Sequence, residues 1–389
     1  MNLEAVGFKD ILEIAAARAI QGDQGGQLQT LESLWDDGGS SQFITQLQEQ
    51  MRLEWQYKAN EHVDHVGFAE TPLPRRGPSR AVRKYFRDKV VWVTGASSGL
   101  GESLAIQLAM AGAKVILSGR DAVELGRVQR ACIAAWKKDV GYTRDKAFVN
   151  DWLWSDVAHI FPLDTKDVDM FEDAVQVVQS LMNRPVDILI NNAGVSSRSL
   201  VQDTDEAVDR SVMEINFRGP VALTKAVLPS MLERLAGHVV VISGVHGRVG
   251  VPSRSSNVAA KHALRGYFDA LRAEVAEEGV RVTVAYPGYI NTRLGENAIM
   301  GDGSRCGKPS QGGAPPQAVA RRILQAAATE KDEVTVAGRV CWSINQCLTS
   351  NPLEPNPTLL SLEYLCLQPT LSLLTIFRAP YDEICFLTA

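Results

Sequence analysis

Cysteine is scarce in this chain: six in 389 residues, none of them in a CxxC pair, and four (Cys341, Cys347, Cys366, Cys385) crowded toward the C-terminal end. A disulfide scaffold is thereby excluded, metal and thiol chemistry have no motif to rest on, so no metal site is expected, and a reducing compartment is the default expectation. Basic excess is also lacking, with 40 Lys and Arg against 45 Asp and Glu for a net charge of −5. No global positive field favours nucleic acid or anionic lipid, so small molecules or proteins are the expected partners. Long uninterrupted apolar runs are missing as well. Glu4, Lys9, Asp10 and Glu13 break up the N-terminal segment, and Glu363 and Pro369 interrupt the apolar stretch TLLSLEYLCLQPTLSLLTIF. The expectation is neither a signal peptide nor a membrane span.

What is present is ample apolar material, 45% of residues, arranged unevenly. Residues 1–80 read as a polar, partly helical extension, in which Phe43, Leu47, Met51 and Trp55 recur every fourth residue as one helical stripe. The segment TPLPRRGPSR then reads as a linker. From Lys89 onward, short apolar runs at 90–93, 115–117, 159–161, 188–190, 239–242, 282–285 and 334–336 alternate with amphipathic stretches such as 102–111, 168–181 and 209–234. This alternation predicts an α/β fold, a Rossmann-type doubly wound parallel sheet with helices on both faces, over residues 81–338. A long connection, WKKDVGYTRDKAFVNDWLWSD, separates the second and third runs. Residues 339–389 read as a hydrophobic, poorly ordered tail, and no internal repeat is found.

The first strand runs directly into Thr94-Gly95-Ala96-Ser97-Ser98-Gly99-Leu100-Gly101, followed by a helix. Glycines belong where a backbone turns sharply, approaches a pyrophosphate, or packs helix against strand. Amides at the start of the helix then face the diphosphate, with Ser97 and Ser98 adding hydroxyls. The second strand ends at Gly119-Arg120, where an NAD site would offer a carboxylate to the ribose. Arg120 instead suits a 2′-phosphate, making NADP(H) the expected cofactor and NAD(H) the alternative. Asp164, after the third run, is placed to meet the adenine edge.

TGASSGLG at 94–101, Asp164, NNAG at 191–194, Asn216, Lys261 and Pro287-Gly288 together resemble the classical short-chain dehydrogenase/reductase family. The stretches VMEINFRGPVALTKAVLPSM and YPGYINTRLGENAI are similar to its member 7 and 7B subgroup. The resemblance implies that Asn192, Ala193 and Gly194 line the cofactor crevice along with Gly95, Gly99, Leu100 and Gly101. It also implies that Asn216 holds a water in a proton relay and that Lys261 meets the nicotinamide ribose. Pro287, Gly288 and Thr292 would contact the nicotinamide side, with residues 295–309 as a mobile lid. It further implies a homodimer or homotetramer packed through the helices around 209–234 and 256–278, and a carbonyl or alcohol substrate. The cytoplasm is the expected location from the N-terminus, with a membrane-associated state at the endoplasmic reticulum or peroxisome implied by the subgroup.

The family's chemistry needs a tyrosine four residues before the lysine and a serine thirteen before that tyrosine. Here those positions hold Asn257 and Gly244. An amide donates a hydrogen bond but does not release a proton near neutral pH, and general acid–base help is worth ~10²–10⁴-fold in rate. Ser243, Ser255, Ser256 and His246 lie nearby; alternation turns Ser243 to the opposite face, serine is a poor acid, and only imidazole titrates near neutrality. The expectation is an NADP(H)-binding reductase of impaired turnover. The alternatives are a non-catalytic, cofactor-binding regulator and a degraded gene product.

Overall fold

The computed structural model describes residues 77–139, 157–308 and 312–337. The Phe43–Trp55 stripe, residues 71–76 of the linker, most of the long connection, and the C-terminal tail lie outside the described residues. Seven parallel strands form the sheet: β1 (Val90–Thr94), β2 (Lys114–Ser118), β3 (Ala158–Ile160), β4 (Ile188–Asn191), β6 (Gly237–Ile242), β7 (Val280–Pro287) and β9 (Glu333–Val336), in the order β3-β2-β1-β4-β6-β7-β9. A short pair, β5 (Ser197–Arg198) and β8 (Ile299–Met300), stands apart from it. The expected doubly wound α/β fold is what the chain adopts.

Strand alternation divides the core into two layers. Val91, Val93, Val115, Leu117, Ile188, Ile190, Val240 and Ile242 pack beneath α1 (Arg80–Phe86), α2 (Gly99–Met110), α3 (Ala122–Asp139) and α8 (Pro316–Ala328). Val90, Trp92, Ile116, Leu189, Val239, Val241, Val282 and Val284 face the other way, onto α4 (Phe171–Met182), α6 (Gly219–Glu233) and α7 (Ser255–Glu274). Neighbouring residues of one strand thus feed opposite layers, which is why the central strands read as nearly unbroken apolar runs. Trp92 is fully buried, and its indole N–H is satisfied by Ser118 Oγ at 2.8 Å.

Two elements differ from the sequence expectation. The linker's last residue begins α1, whose N-terminus is capped by Ser79 accepting from the amide of Val82 at 3.3 Å. The stretch 209–234, expected as one helix, is instead α5 (Glu206–Met213), a π-helical turn over Glu214–Arg218, and α6. The stretch was read as one amphipathic helix, and the wide turn within it was not anticipated. Among the described residues no helix is long and apolar enough to cross a membrane, and no group of three metal-ligating side chains forms.

A polar chain ties α1 to the sheet. Tyr85 Oη lies 2.8 Å from Nδ1 of the buried His238, whose Nε2 lies 2.9 Å from Thr283 Oγ1; that hydroxyl donates to the Lys331 carbonyl. Burial, reinforced by Arg281 and Lys89, pushes the His238 pKa down to about 3. The folded state therefore binds fewer protons than the unfolded chain, so the stability His238 allows is complete above pH ~6.5 and falls as pH drops toward 3. About 2 kcal/mol should be lost between pH 7 and pH 5 from this residue. Urea midpoints at the two pH values check it, and His238→Gln should flatten the acid limb by that amount.

Candidate functional site

Strand order reverses between β1 and β4, and a crevice opens at their carboxyl ends, where a doubly wound sheet binds its ligand. The turn after β1 is built for close approach. Gly95 and Gly99 take φ of 64° and 61°, in the left-handed region. A Cβ at Gly101 would stand 2.1 Å from the Gly95 carbonyl oxygen and 2.7 Å from Asn192 Nδ2. Ser98 enters α2 with extended backbone and no side-chain cap, so the first amides of the helix are left for an acceptor from outside. These features fit the diphosphate of a dinucleotide.

The NNAG segment braces this turn. Thr94 Oγ1 accepts from the amides of Asn192 and Ala193, each at 3.0 Å, while Asn192 Nδ2 donates to the carbonyls of Thr94 at 2.9 Å and Gly95 at 3.2 Å. Asn191 turns inward and donates to Thr224 Oγ1 on α6 at 2.8 Å. Gly194 faces Asn216 and Lys261: a Cβ there would lie 3.0 Å from Asn216 Oδ1 and 3.7 Å from Lys261 Nζ. Thr292 crosses over the turn, its methyl 3.0 Å from the Cβ position of Gly99. Pro287 and Gly288 close the end of β7, with the Gly288 amide donating to the Val336 carbonyl at 2.8 Å. Leu100 is buried in the first turn of α2.

Arg120 is exposed just beyond the end of β2 and makes no ion pair among the described residues. The neighbouring carboxylate, Asp121, is turned away to accept from the amide of Glu124 at 3.0 Å. Asp164 accepts from the Lys166 amide at 3.1 Å, within the loop that follows β3. One contributor was not anticipated. Arg127 on α3 pairs with Glu102 at 2.6 Å and Glu124 at 2.9 Å and donates to the Ser97 carbonyl at 3.3 Å, bracing the glycine turn from outside. Glu124 and Arg127 stand one helical turn apart, a readable pair, but the link to Glu102 crosses elements and leaves no pattern in the sequence.

At the far end of the crevice the structure gathers Asn216, Gly244, Asn257 and Lys261. The π-turn carries Asn216 inward, where Oδ1 accepts from the Val195 amide and Nδ2 donates to the Val195 carbonyl, both at 2.8 Å. The same Nδ2 reaches Asn257 Oδ1 at 3.1 Å. Asn257 Nδ2 in turn lies 3.1 Å from His246 Nδ1. Lys261 donates to the Ile242 carbonyl at 2.9 Å, and burial lowers its pKa to about 8. Burial first, then the neighbouring Arg254 and Lys261, hold His246 down to about 4. Arg254, which sequence reasoning also missed, donates to Ser196 Oγ at 2.7 Å beside this cluster.

Nearby hydroxyls are committed elsewhere. Ser243 donates to the Lys261 carbonyl at 3.1 Å under α7, and Ser256 to Asp209 at 2.6 Å. The segment expected as a lid is fastened over residues 295–308. Its β8 pairs with β5, the Asp205 amide donates to the Gly301 carbonyl at 2.9 Å, and a Cβ on Gly301 would meet the Asp203 carbonyl oxygen at 1.9 Å. Pro309 lies outside the described residues.

A parallel sheet with this order, a glycine turn braced by NNAG, and an Asn–Lys pair beside it define a dinucleotide-dependent oxidoreductase of the short-chain type. The sequence pattern of the short chain dehydrogenase family matches residues 89–301, more than half of the chain, and the protein belongs to that family. Within it, the chain is 42% identical over 259 residues to dehydrogenase/reductase SDR family member 7B of Danio rerio, covering 66% of this chain and 79% of that one. The Rattus norvegicus member 7B is 44% identical over 255 residues, covering 65% and 74%. Among solved structures, a short-chain dehydrogenase from Streptomyces avermitilis superposes with a TM-score of 0.56 at 27% identity, over 72% of this chain and 94% of that one. A metagenomic short-chain oxidoreductase in complex with NADP gives 0.50 at 25% identity, over 65% and 97%.

Proposed function

We propose that this protein binds NADP(H) and, as a carbonyl reductase by lineage, transfers hydride only slowly. One observation carries the impaired reading: Gly244 and Asn257 occupy the positions of the family's serine and tyrosine, and the Asn257 amide is held between Asn216 and His246. An amide so placed supplies no proton to a developing alkoxide. Gly244 brings no hydroxyl to stabilise that charge.

Bound cofactor would supply the hydride. The chain's own residues do the holding: the glycine turn and the α2 amides cradle the diphosphate, and Lys261 retains donors beyond its bond to Ile242 for the ribose. Arg120, with Asp121 engaged in capping, supports a 2′-phosphate over a free ribose hydroxyl.

The test begins with titration of NADPH and NADH by fluorescence, followed by NADPH oxidation against a panel of aldehydes and ketones. Tight NADPH binding with turnover at least ~100-fold below a tyrosine-bearing relative is expected. Turnover equal to that relative would refute impairment. Arg120→Glu should weaken NADPH by about tenfold or more while sparing NADH, since it replaces a charge-assisted contact with a repulsive one. Equal losses for both cofactors would remove Arg120 from the selectivity.

A further inference from the structure

The two asparagines beside the crevice form a hydrogen-bond chain whose direction is fixed from one end. Val195 offers Asn216 both an amide N–H and a carbonyl, at 2.8 Å each. Only one orientation of the Asn216 amide satisfies both, with the carbonyl toward the N–H and the NH₂ toward the carbonyl. The NH₂ of Asn216 therefore also faces Asn257, so the group of Asn257 that meets it at 3.1 Å must be the oxygen. That leaves the Asn257 NH₂ pointing at His246 Nδ1, 3.1 Å away. A nitrogen facing an NH₂ group must bring a lone pair to the contact. The proton of the neutral ring then sits on Nε2.

We propose that Asn257 is a tautomer lock, holding His246 as its Nε2–H form and presenting that N–H to the crevice as a donor for a ligand's carbonyl oxygen. His246 is partly exposed, and Nε2 forms no hydrogen bond among the described residues, whereas Asn216 and Asn257 are buried. In this state the imidazole is neither acid nor base. Its only lone pair is occupied by Asn257, and protonating Nδ1 would set an N–H against an NH₂. Arg254 and Lys261 add positive charge near the ring, which disfavours imidazolium in the same direction. The site thus binds a carbonyl without exchanging a proton with it. The inference rests on the impaired reading above and gives that reading a mechanism: the histidine that stands where it could help is in the unproductive tautomer. Replacing the orienting aspartate of a serine protease triad by asparagine has the same effect on its histidine, at a cost near 10⁴-fold in kcat.

The exchange of a single atom should release the lock. In Asn257→Asp, one carboxylate oxygen still accepts from Asn216, and the other accepts from His246 Nδ1–H. The ring proton moves to Nδ1, Nε2 gains the lone pair, and the neighbouring carboxylate raises the imidazole pKa. The protonated ring can then give its Nε2 proton to the oxygen of a carbonyl whose carbon receives hydride from NADPH, leaving an alcohol, NADP⁺ and neutral imidazole.

The experiment is long-range ¹H–¹⁵N NMR of the histidine rings in the full chain, with His246→Gln used to assign the signal. Expected are an unprotonated Nδ1 and a protonated Nε2 in the unmodified protein, both unchanged to pH 5. In Asn257→Asp the pattern should invert, with titration above pH 6 and NADPH affinity retained. A proton on Nδ1 in the unmodified protein, titration near 6.5, or an unchanged tautomer in a folded Asn257→Asp would each overturn the lock. Oxidation of NADPH with 4-nitrobenzaldehyde separates this outcome from the functional reading. A rise of tenfold or more in Asn257→Asp supports both. Brisk turnover by the unmodified chain with Nε2–H in place refutes impairment while the tautomer assignment stands.

Discussion

Gly101→Ala is expected to cost at least ~100-fold in NADPH affinity. The added methyl would sit 2.1 Å from the Gly95 carbonyl oxygen and 2.7 Å from Asn192 Nδ2, far inside van der Waals contact with backbone and with a side chain engaged twice. Neither neighbour can yield alone. Gly95 is held in the left-handed region, and its own Cβ position is already 2.8 Å from Ala193 Cα. Relief requires α2 to withdraw from β1, taking with it the amides that face the diphosphate. Overpacking of this kind costs ~1–3 kcal/mol in stability. The loss in binding is larger, because displaced amides also forfeit their alignment with the phosphates. Isothermal titration against NADPH, with a thermal melt to show that the variant still folds, reads both effects. Affinity within threefold of the unmodified chain would mean that the glycine turn does not hold the cofactor.

The second large effect is a failure: restoring both hydroxyls, as Gly244→Ser with Asn257→Tyr, should not restore turnover. Gly244 has φ 117° and ψ 162°, a conformation essentially confined to glycine. Space is not the obstacle, since the nearest atom to a Cβ there is the Pro287 carbonyl oxygen at 3.7 Å. Strain is, at ~1–3 kcal/mol, unless the chain after β6 is rebuilt. A tyrosine at 257 must also evict His246, which now lies against the Asn257 amide. What stands at these two positions is therefore a local conformation as well as two side chains. Gly244→Ser alone should lower the urea midpoint by an amount equal to ~1–3 kcal/mol and leave NADPH oxidation unchanged. A double variant that is both stable and active would show that the loop relaxes freely.

These two cases mark what the sequence could and could not convey. The sheet was legible because its central strands are buried on both faces and so form nearly continuous apolar runs. The glycine turn was legible because its steric demands are met by residue type alone. Asn257 and Gly244 were readable as departures from the family's pattern, because Lys261 fixes their register. Their consequences were not. The φ of Gly244, the commitment of Ser243 to the Lys261 carbonyl and the contact between Asn257 and His246 depend on how α7 lies over the end of β6. Arg127 and Arg254 were missed for a similar reason, since each works across elements far apart in the chain. The pairing of β8 with β5, within the segment expected as a lid, rests on backbone contacts to which side-chain pattern is blind.

The π-turn at Glu214–Arg218 sets the helical phase of everything around it. One residue of an α-helix turns the chain by roughly 100°. By taking up an additional residue in a single wide turn, the chain lets α5 and α6 keep independent rotational settings. Met231, Val227 and Leu223 of α6 remain in the sheet's core, while Asn216 points toward Val195 and Asn257. A continuous helix would have to sacrifice either its apolar seam or the aim of that amide. The side chains that face the crevice can therefore vary without disturbing the apolar seam that holds α6 on the sheet.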